Sequence, residues 1–518
     1  MHENRDVSVR LPLSLARAAA LACSLAWILA ASGCGAEQGA APPNFVVIFI
    51  DDLGYGDIGP FGSTTNRTPH LDRMAAEGMT LTSFYSASPV CTPSRAALMT
   101  GSYAKRVGLA VGPEMGVLFT EEPWGLNPDE VTIAEVLRTQ GYATGCFGKW
   151  HLGDQPEFLP TEHGFDEYFG IPYSNDMWAF HPRFSEGGPF DFPPLPLMRG
   201  TEVIGEVKDM RDQAGLCRQF TDAAVNFIRR NRDRPFFAYI PHAFIHHPRA
   251  ASEPFMQRVG EQGDSIDWTA ITPGAGPWHC DEMGKCGPGS MSGQEWNELT
   301  VRRTQAQIEE VDWSVGSVLT VLRDLGIADN TLVIFTSDNG GSSGSINAPL
   351  RGRKGTTWEG GMRVPALAWW PGTVPSGSSS DELATTMDLL PTFAAIGGGE
   401  VPSERVLDGR DISHILLAEP DARSPHAAFF YFHEVQLQAV RSGKWKLFKE
   451  TGELYDLNAD IRETRDMSEL HPEVAQRLRM HLESAAADLG DGAANCPQCR
   501  PVGVVEEATA LLPRPQSD

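Results

Sequence analysis

The stretch Asn44-Phe45-Val46-Val47-Ile48-Phe49-Ile50, which runs directly into Asp51-Asp52, decides the class of fold. An apolar run of this kind is typical of a strand that is buried on both faces of a parallel sheet. Further strands are predicted along the chain at Tyr142 to Phe147, Pro235 to Ile240 and Thr331 to Phe335. Together these strands predict an α/β fold that is organised around a large sheet.

Segments with helical signals separate these strands, namely Thr68 to Gly78, Thr132 to Gly141, Thr221 to Arg230 and Val301 to Leu325. The second is the best marked, because Thr132 and Glu135 form a capping-box pattern and Gly141 ends the helix. Strands that alternate with helices predict an open α/β sheet, and such sheets bind their ligands at the carboxyl ends of the strands.

Polar residues stand at those strand ends. Asp51 and Asp52 follow the first strand, and Asp338 and Asn339 follow the strand that ends near Phe335. All four are hard oxygen donors, which suit Ca²⁺ or Mg²⁺ better than Zn²⁺. Taken one pair at a time they are weak evidence, because Asp-Asp and Asp-Asn-Gly also cap ordinary turns.

A second region that could take part in catalysis is Cys91-Thr92-Pro93-Ser94-Arg95. Pro93 suits the first turn of a helix, and Ala96 to Met99 are good helix formers. Cys91 is therefore expected just outside a helix N-terminus, with Arg95 one turn further on and able to reach back. The helix dipole and the guanidinium predict a lowered thiol pKa. The alternative is a buried cysteine in front of an ordinary helix.

Three motifs together resemble the signatures of the type I sulfatases. They are the Cys91 to Arg95 motif, Gly148-Lys149-Trp150-His151-Leu152-Gly153, and the segment from Lys354 to Glu359-Gly360-Gly361. The resemblance covers about residues 44 to 460 and is closest to arylsulfatase A and its relatives. It implies that Cys91 is oxidised to formylglycine, whose hydrated aldehyde attacks sulfur with one hydroxyl and releases sulfate with the other.

The resemblance also implies roles for individual residues. One divalent ion, usually Ca²⁺ with Mg²⁺ possible, would be held by Asp51, Asp52, Asp338, Asn339 and the formylglycine at Cys91. The catalytic residues would be Cys91, Arg95, Lys149, His151, His246 and Lys354, and those that contact substrate Lys149, Ser174, His246 and Lys354. A protonated His246 would join the fixed cations, and His151 would assist the release of sulfate. His242 and His247 compete with His246 for its position.

The function implied is hydrolysis of an aryl or carbohydrate sulfate monoester to an alcohol and inorganic sulfate. One alternative is phosphomonoester or phosphonate hydrolysis on the same alkaline-phosphatase-like scaffold, which would usually need a second metal whose His/Asp ligands are not evident in the sequence. Another alternative is an inactive lipoprotein that only binds a sulfated ligand. The intact Cys91, Arg95, Lys149, His151 and Lys354 argue against it.

Residues 1–34 have the features of an export signal. Arg5, Arg10 and Arg17 precede an uncharged stretch from Ala18 to Ala31. The end, Ala31-Ser32-Gly33-Cys34, resembles a bacterial lipobox whose cysteine is lipidated, and 35–43 is expected to be a tether. The prediction is a periplasmic or outer-membrane lipoprotein anchored through Cys34, or otherwise a secreted protein. A formylglycine-generating enzyme would be its maturation partner.

The net charge of −25 argues against nucleic acid as a partner and requires the site for an anionic substrate to be locally basic. Residues 44–420 are predicted to form the catalytic α/β domain, a large mixed sheet flanked by helices.

Residues 421–518 are predicted to form a smaller α+β domain. Its antiparallel strands are expected between Phe429 and Leu447 and at Leu454 to Asp456, and its helix from Pro472 to Leu489. Residues 250–295 are expected to be a long loop. Cys280 with Cys286 and Cys496 with Cys499 could form disulfides, whereas Cys146 and Cys217 are expected to be buried thiols.

Overall fold

Seventeen strands are formed by the residues that the computed structural model describes, which are 41–110, 116–179, 181, 188, 190–261, 293–492 and 496–514. In chain order the strands are β1 Asn44–Ile50, β2 Met79–Tyr85, β3 Trp124–Gly125, β4 Ala143–Lys149, β5 Glu167–Ile171, β6 Leu195–Arg199, β7 Glu202–Val207, β8 Phe236–His242, β9 Thr331–Ser337, β10 Arg363–Trp369, β11 Ser378–Ser380, β12 Ala384–Thr385, β13 Phe429–His433, β14 Gln436–Ser442, β15 Trp445–Phe448, β16 Leu454–Asp456 and β17 Gly503–Val504.

Ten α-helices lie between the strands of this described part of the chain. They are α1 Pro69–Glu77, α2 Cys91–Thr100, α3 Ile133–Thr139, α4 Met210–Asn231, α5 Glu253–Arg258, α6 Gly293–Asp324, α7 Glu359–Met362, α8 Leu389–Gly397, α9 Ser413–Leu416 and α10 Pro472–Leu489.

The main sheet has the strand order β11-β2-β10-β9-β1-β8-β4-β5-β6-β7, and β12 pairs with β2 beside β11. The strands from β9 through β1, β8 and β4 to β5 run parallel to their neighbours. Antiparallel strands flank this parallel centre, where β10 pairs with β9 and β6 pairs with β5. The expected large mixed sheet is therefore confirmed, and five adjacent parallel strands end at the same edge.

Strand β1 shows why its apolar run predicts a central position. From Phe45 to Ile50 every residue is fully buried. The odd-numbered side chains pack into a core with α3 and α8, whereas the even-numbered ones pack into a second core with α4 and α6. Because each large apolar side chain stabilises the fold by about 1.5–3 kcal/mol when buried, a strand covered on both faces contributes strongly to the stability of the sheet.

The C-terminal part forms an antiparallel sheet in the order β13-β14-β15-β16, covered by α10. Its core also contains Tyr85 from β2 and Ala97 from α2, so the C-terminal sheet shares apolar contacts with the main sheet and α2. The antiparallel sheet with one helix is confirmed. Residues 42–518 form one compact unit, and the domain boundary at residue 420 stays a prediction.

Several boundaries differ from the sequence prediction. Helix α4 begins at Met210 rather than Thr221, because Asp209 caps it by accepting hydrogen bonds from the amides of Arg211 and Asp212. The expected loop of residues 250–295 contains α5, and α6 already begins at Gly293. The strands that were not predicted are β2, β3, β5, β6, β7, β10, β11, β12 and β17.

The cysteine predictions are partly tested. Cys496 and Cys499 form a disulfide, and Cys146 and Cys217 are buried free thiols, as expected. Cys280 and Cys286 lie outside the described residues, as do the signal segment, Cys34 and residues 35–40 of the tether. Within the described residues, no helix has the length and apolar character that crossing a membrane requires.

Candidate active site

The predicted site residues meet at the carboxyl edge of the five parallel strands. Asp51 and Asp52 follow β1, Asp338 follows β9, and Lys149 is the last residue of β4. The backbone fixes these ends together, because the Asp338 amide donates to the Ile50 carbonyl at 2.9 Å and the Asp51 amide donates to Phe244 O at 2.9 Å. The topology thus concentrates charged side chains from distant parts of the sequence in one place.

Cys91 is the first residue of α2, one position further into the helix than expected. Its Sγ lies 3.3 Å from Asp51 Oδ1 and 3.3 Å from Lys354 Nζ, and the residue is 2% exposed. Burial, followed by the Asp338 and Asp51 carboxylates, raises the thiol pKa well above its ordinary value. The predicted lowering of this pKa is therefore wrong, and an unmodified Cys91 is held as a neutral thiol.

Arg95 connects the helix to the carboxylates, as the motif predicts. Its Nη2 lies 2.8 Å from Asp338 Oδ2 and 3.4 Å from Asp51 Oδ2, and the side chain is fully buried. Its Nη1 donates to the Lys149 carbonyl at 2.8 Å. Because arginine stays charged even when buried, it supplies a permanent positive charge beneath the site.

Two lysines provide further fixed charge. Lys149 Nζ lies 2.5 Å from Asp51 Oδ2 and donates to Ser174 Oγ at 3.0 Å. Lys354 Nζ lies 2.6 Å from Asp52 Oδ1. Burial alone would raise the pKa of Asp51, but Lys149 and the other cations reverse this and lower it well below its ordinary value. Asp51 and Asp52, whose pKa is also lowered, are therefore kept ionised by the neighbouring cations, whereas burial and then the Asp51 carboxylate raise the pKa of Asp338 to about 6.

The site contains oxygen atoms that suit a metal ion. Asp52 Oδ2 and Asn339 Oδ1 are buried and have no hydrogen-bond donor among the described residues. One ligand atom from each of Asp51, Asp52, Cys91 and His246 lies within 4.8 Å of the others. Since unpaired buried acceptors are costly, the free oxygen atoms of Asp52 and Asn339 fit a hard divalent cation.

His151 follows β4 with a φ of 62°, which is rare for a residue with a side chain. Its Nε2 lies 2.9 Å from the Leu118 carbonyl, which can only accept, so Nε2 carries the proton. Nδ1 has no hydrogen-bond partner among the described residues. Burial and then Lys149 hold the pKa of His151 well below its ordinary value, which leaves a neutral ring with a free lone pair.

Of the three competing histidines, His246 lies beside Asp52, one of the carboxylates expected to bind a metal ion. Its Nε2 lies 3.8 Å from Asp52 Oδ2, and its Nδ1 donates to the His247 carbonyl at 2.8 Å. His242 instead contacts Ser314 Oγ at 2.9 Å. Burial, then Lys354, lowers the pKa of His246 to about 4, so the expected protonated ring is wrong for the enzyme without substrate.

Asp176 is a site residue that the sequence motifs did not reveal. Its Oδ1 lies 3.8 Å from His246 Nδ1, and its Oδ2 lies 3.3 Å from His247 Nε2. One ligand atom from each of these three residues lies within 4.8 Å of the others, a group not evident in the sequence. Its position two residues after Ser174, on the same loop, is the signal that could have identified it.

Comparison with known proteins identifies the family. The Sulfatase family model matches residues 43–399, and the model described as N-sulphoglucosamine sulphohydrolase, C-terminal, matches residues 353–488. The fold and the buried charged site are therefore those of a hydrolytic enzyme of this group. The chain belongs to the sulfatase family and is a sulfatase, an enzyme that hydrolyses sulfate esters.

Curated relatives support this assignment over most of the chain. N-acetylgalactosamine-6-sulfatase from Canis lupus familiaris is 36% identical over 451 residues, covering 83% of this chain and 76% of the relative. Arylsulfatase A from Homo sapiens is 38% identical over 427 residues, covering 79% and 75%. The resemblance inferred from three motifs is thus confirmed by similarity along the catalytic part of the molecule.

Solved structures agree with the fold. The crystal structure of Ps i-CgsB in complex with k-i-k-neocarrahexaose has a TM-score of 0.68 at 29% identity, covering 86% of this chain and 92% of that one. A phosphonate monoester hydrolase of Agrobacterium radiobacter has a TM-score of 0.57 at 20% identity, covering 86% and 96%. The latter similarity shows the shared fold alone.

Proposed function

We propose that this sulfatase cleaves a sulfate monoester of an aryl or carbohydrate alcohol, using formylglycine made from Cys91. The observation that carries the proposal is the position of Cys91 Sγ, 3.3 Å from both Asp51 Oδ1 and Lys354 Nζ. A hydrated aldehyde there would supply one hydroxyl to attack sulfur and a second to expel sulfate. The buried, neutral thiol has neither capacity.

The residues around Cys91 would hold the charged sulfate. Lys149, Lys354 and Arg95 bring positively charged side chains to one place, and such preorganised charge stabilises a transition state without reorganisation. Without substrate they are matched by the carboxylates of Asp51, Asp52 and Asp338. We infer that Asp51, Asp52, Asp338, Asn339 and the modified Cys91 would hold one Ca²⁺, or alternatively Mg²⁺, which adds the positive charge that an anionic substrate requires.

His246 and His151 would transfer the protons of the reaction. His246 is neutral before substrate arrives, and the negative charge of a bound sulfate ester would favour its protonated form. Its Nε2 could then donate to the leaving oxygen. His151 Nδ1 keeps a lone pair and could accept a proton from a hydroxyl of the hydrated aldehyde during sulfate release.

Several features outside the described residues belong to this proposal. We propose that residues 1–34 direct export, that Cys34 is a lipid attachment site, and that a formylglycine-generating enzyme matures Cys91. The names of the two curated relatives above refer to a carbohydrate sulfate and to aryl sulfates, and these are the two substrate classes we favour.

A substrate panel tests the proposal. Purified enzyme, matured together with a formylglycine-generating enzyme, is assayed with 4-nitrophenyl sulfate, galactosamine 6-sulfate and the matching phosphate and phosphonate esters. Released sulfate should exceed released phosphate by at least about 100-fold in kcat/KM. Preferential release of phosphate would instead support the phosphomonoester alternative, and no release from any ester would support an inactive binding protein.

A further inference from the structure

Lys354 lies in a loop that the C-terminal sheet holds in place. We define the Lys354 loop as residues 351–358. At its start, Arg351 Nη1 donates to the Glu463 carbonyl at 2.8 Å. Near its end, Thr357 Oγ1 donates to Gln438 Oε1 at 2.7 Å. The loop is thus attached at both ends to residues that follow position 421, although its lysine acts at the edge of the main sheet.

Lys446 of β15 makes the most direct of these attachments. Its Nζ donates to the Thr357 carbonyl at 2.8 Å and lies 3.0 Å from Glu359 Oε1 and 2.7 Å from Glu463 Oε1. The Glu359 amide in turn donates to Glu463 Oε2 at 2.8 Å. Lys446 and Glu463 therefore hold the backbone on which the Lys354 loop ends.

The cost of burying a charged group makes a purely space-filling role a poor explanation for Lys446. Lys446 is completely buried, and a buried ammonium group is costly unless it is paired and hydrogen-bonded. Well-packed apolar residues often replace a buried ion pair without loss of stability. What an apolar residue cannot do is bind the Thr357 carbonyl, which fixes the position of the loop backbone.

Glu463 is a second residue of this network whose burial and backbone conformation are energetically unfavourable. It is fully buried and has a φ of 52°, in the left-handed region that favours glycine. In this conformation its carboxylate meets Lys446 while its carbonyl accepts from Arg351. A single strained residue thus contacts Arg351 at the start of the loop and the Glu359 amide directly after its end, and strain of this kind persists where the surrounding structure fixes it.

We propose that Lys446 is a positioning residue for Lys354, acting through the Lys354 loop so that the Lys354 ammonium remains against Asp52 and Cys91. The proposal rests on the proposed role of Lys354 in hydrolysis. Displacement of a catalytic group by about 1 Å can cost about 100-fold in rate. The C-terminal sheet would therefore contribute to catalysis without touching the substrate.

A double-mutant cycle of Lys446→Met and Lys354→Ala tests this coupling, with kcat and KM measured on 4-nitrophenyl sulfate. Lys446→Met alone should lower kcat by about 10- to 100-fold. In the Lys354→Ala background, the same change should lower kcat less than about 2-fold, because the group it positions is already gone. The matched control is Lys444→Met, which removes an exposed pair with Asp456 on the same hairpin and should leave kcat unchanged.

Folding is checked separately, since Lys446→Met leaves Glu359 and Glu463 without their shared partner. Thr357→Val removes only the bond to Gln438 and buries no unpaired charge, so it should lower kcat about 3-fold with an unchanged melting temperature and the same non-additivity with Lys354→Ala. Equal losses with and without Lys354 would overturn the proposal. A wild-type enzyme that releases no sulfate would instead contradict the proposed function.

Discussion

Two clusters of buried charge, one at the active site and one around Glu359, differ in how completely their polar atoms are hydrogen-bonded. At the active site, Asp52 Oδ2, Asn339 Oδ1 and His151 Nδ1 have no hydrogen-bond partner among the described residues. At Glu359, both carboxylate oxygens are paired, Oε1 with Tyr431 and Lys446 and Oε2 with Tyr85. Complete pairing indicates a structural network, whereas unpaired atoms indicate a place for a ligand.

Backbone strain occurs in both clusters. Asp52 and His151 at the active site have a φ of 62°, and Glu463, which pairs with Lys446 beside Glu359, has a φ of 52°. The pairing of the buried polar atoms is therefore what distinguishes the two clusters. We therefore expect substitutions in the first cluster to affect turnover most and substitutions at Glu359 to affect stability most.

Removal of the proposed metal ion should have the largest effect on turnover. Elemental analysis should find about one Ca²⁺ or Mg²⁺ per chain, because the unpaired oxygens at the site are hard donors. Chelation should abolish detectable sulfate release, and added Ca²⁺ or Mg²⁺ should restore it. Two tightly bound Zn²⁺ ions per chain would contradict the expected site and favour the phosphatase alternative.

Lys354→Ala should be next in size. It removes one of the charges that we propose stabilise the transition state, and such losses cost about two to three orders of magnitude in kcat. The melting temperature should change little, since Lys354 Nζ is bonded to functional groups rather than to the apolar core. The control is Arg353→Ala, an exposed neighbour on the same loop. A parallel fall in stability and rate would show that Lys354 is structural.

The histidines give a sharper comparison within one segment. His246→Gln should lower kcat by about 10²- to 10⁴-fold, the range that general acids contribute. His242→Gln should lower it less than about 3-fold, because His242 contacts Ser314 away from the carboxylates. Assays with a poor and a good leaving group should show that His246→Gln affects the poor one more. The reverse ranking of the two variants would exclude His246 as the acid.

Glu359→Gln should affect turnover least and stability most. Burial would raise the pKa of Glu359, but Lys446, Arg363 and Arg441 lower it to about 2, against 4.5 for an unpaired glutamate. Ionisation of Glu359 therefore stabilises the fold above about pH 4.5, and this contribution is lost as the pH falls toward about 2. Denaturant unfolding at several pH values should show this loss in wild type and in the exposed control Glu450→Gln, but a flatter profile in Glu359→Gln.

Much of the fold follows from local sequence signals. The apolar β1 run predicts a central strand, and Thr132 with Glu135 forms the capping box that the pattern predicts. Strands such as β2 and β10 were missed because their pairing partners lie far apart in the chain. Their place in the sheet depends on tertiary contacts rather than on their own residues.

The candidate site was predictable as a set of residues but not in its protonation. The motifs identify Cys91, Arg95, Lys149 and Lys354, which the structure brings together. The predictions of a lowered thiol pKa at Cys91 and of a protonated His246 in the enzyme without substrate were wrong. Both pKa values depend on burial, and burial depends on the whole fold. Asp176 and Lys446 were missed for the same reason, since their meaning lies in contacts with residues distant in sequence.

Peptide mass spectrometry of position 91 in active enzyme is the most direct test of the account. The peptide that contains Cys91 should have exchanged sulfur for oxygen and lost two hydrogens, as expected for formylglycine. The converted fraction should rise in proportion to specific activity across preparations made with increasing amounts of the maturation enzyme. Full activity from a preparation in which position 91 is entirely unmodified cysteine would contradict the proposed chemistry.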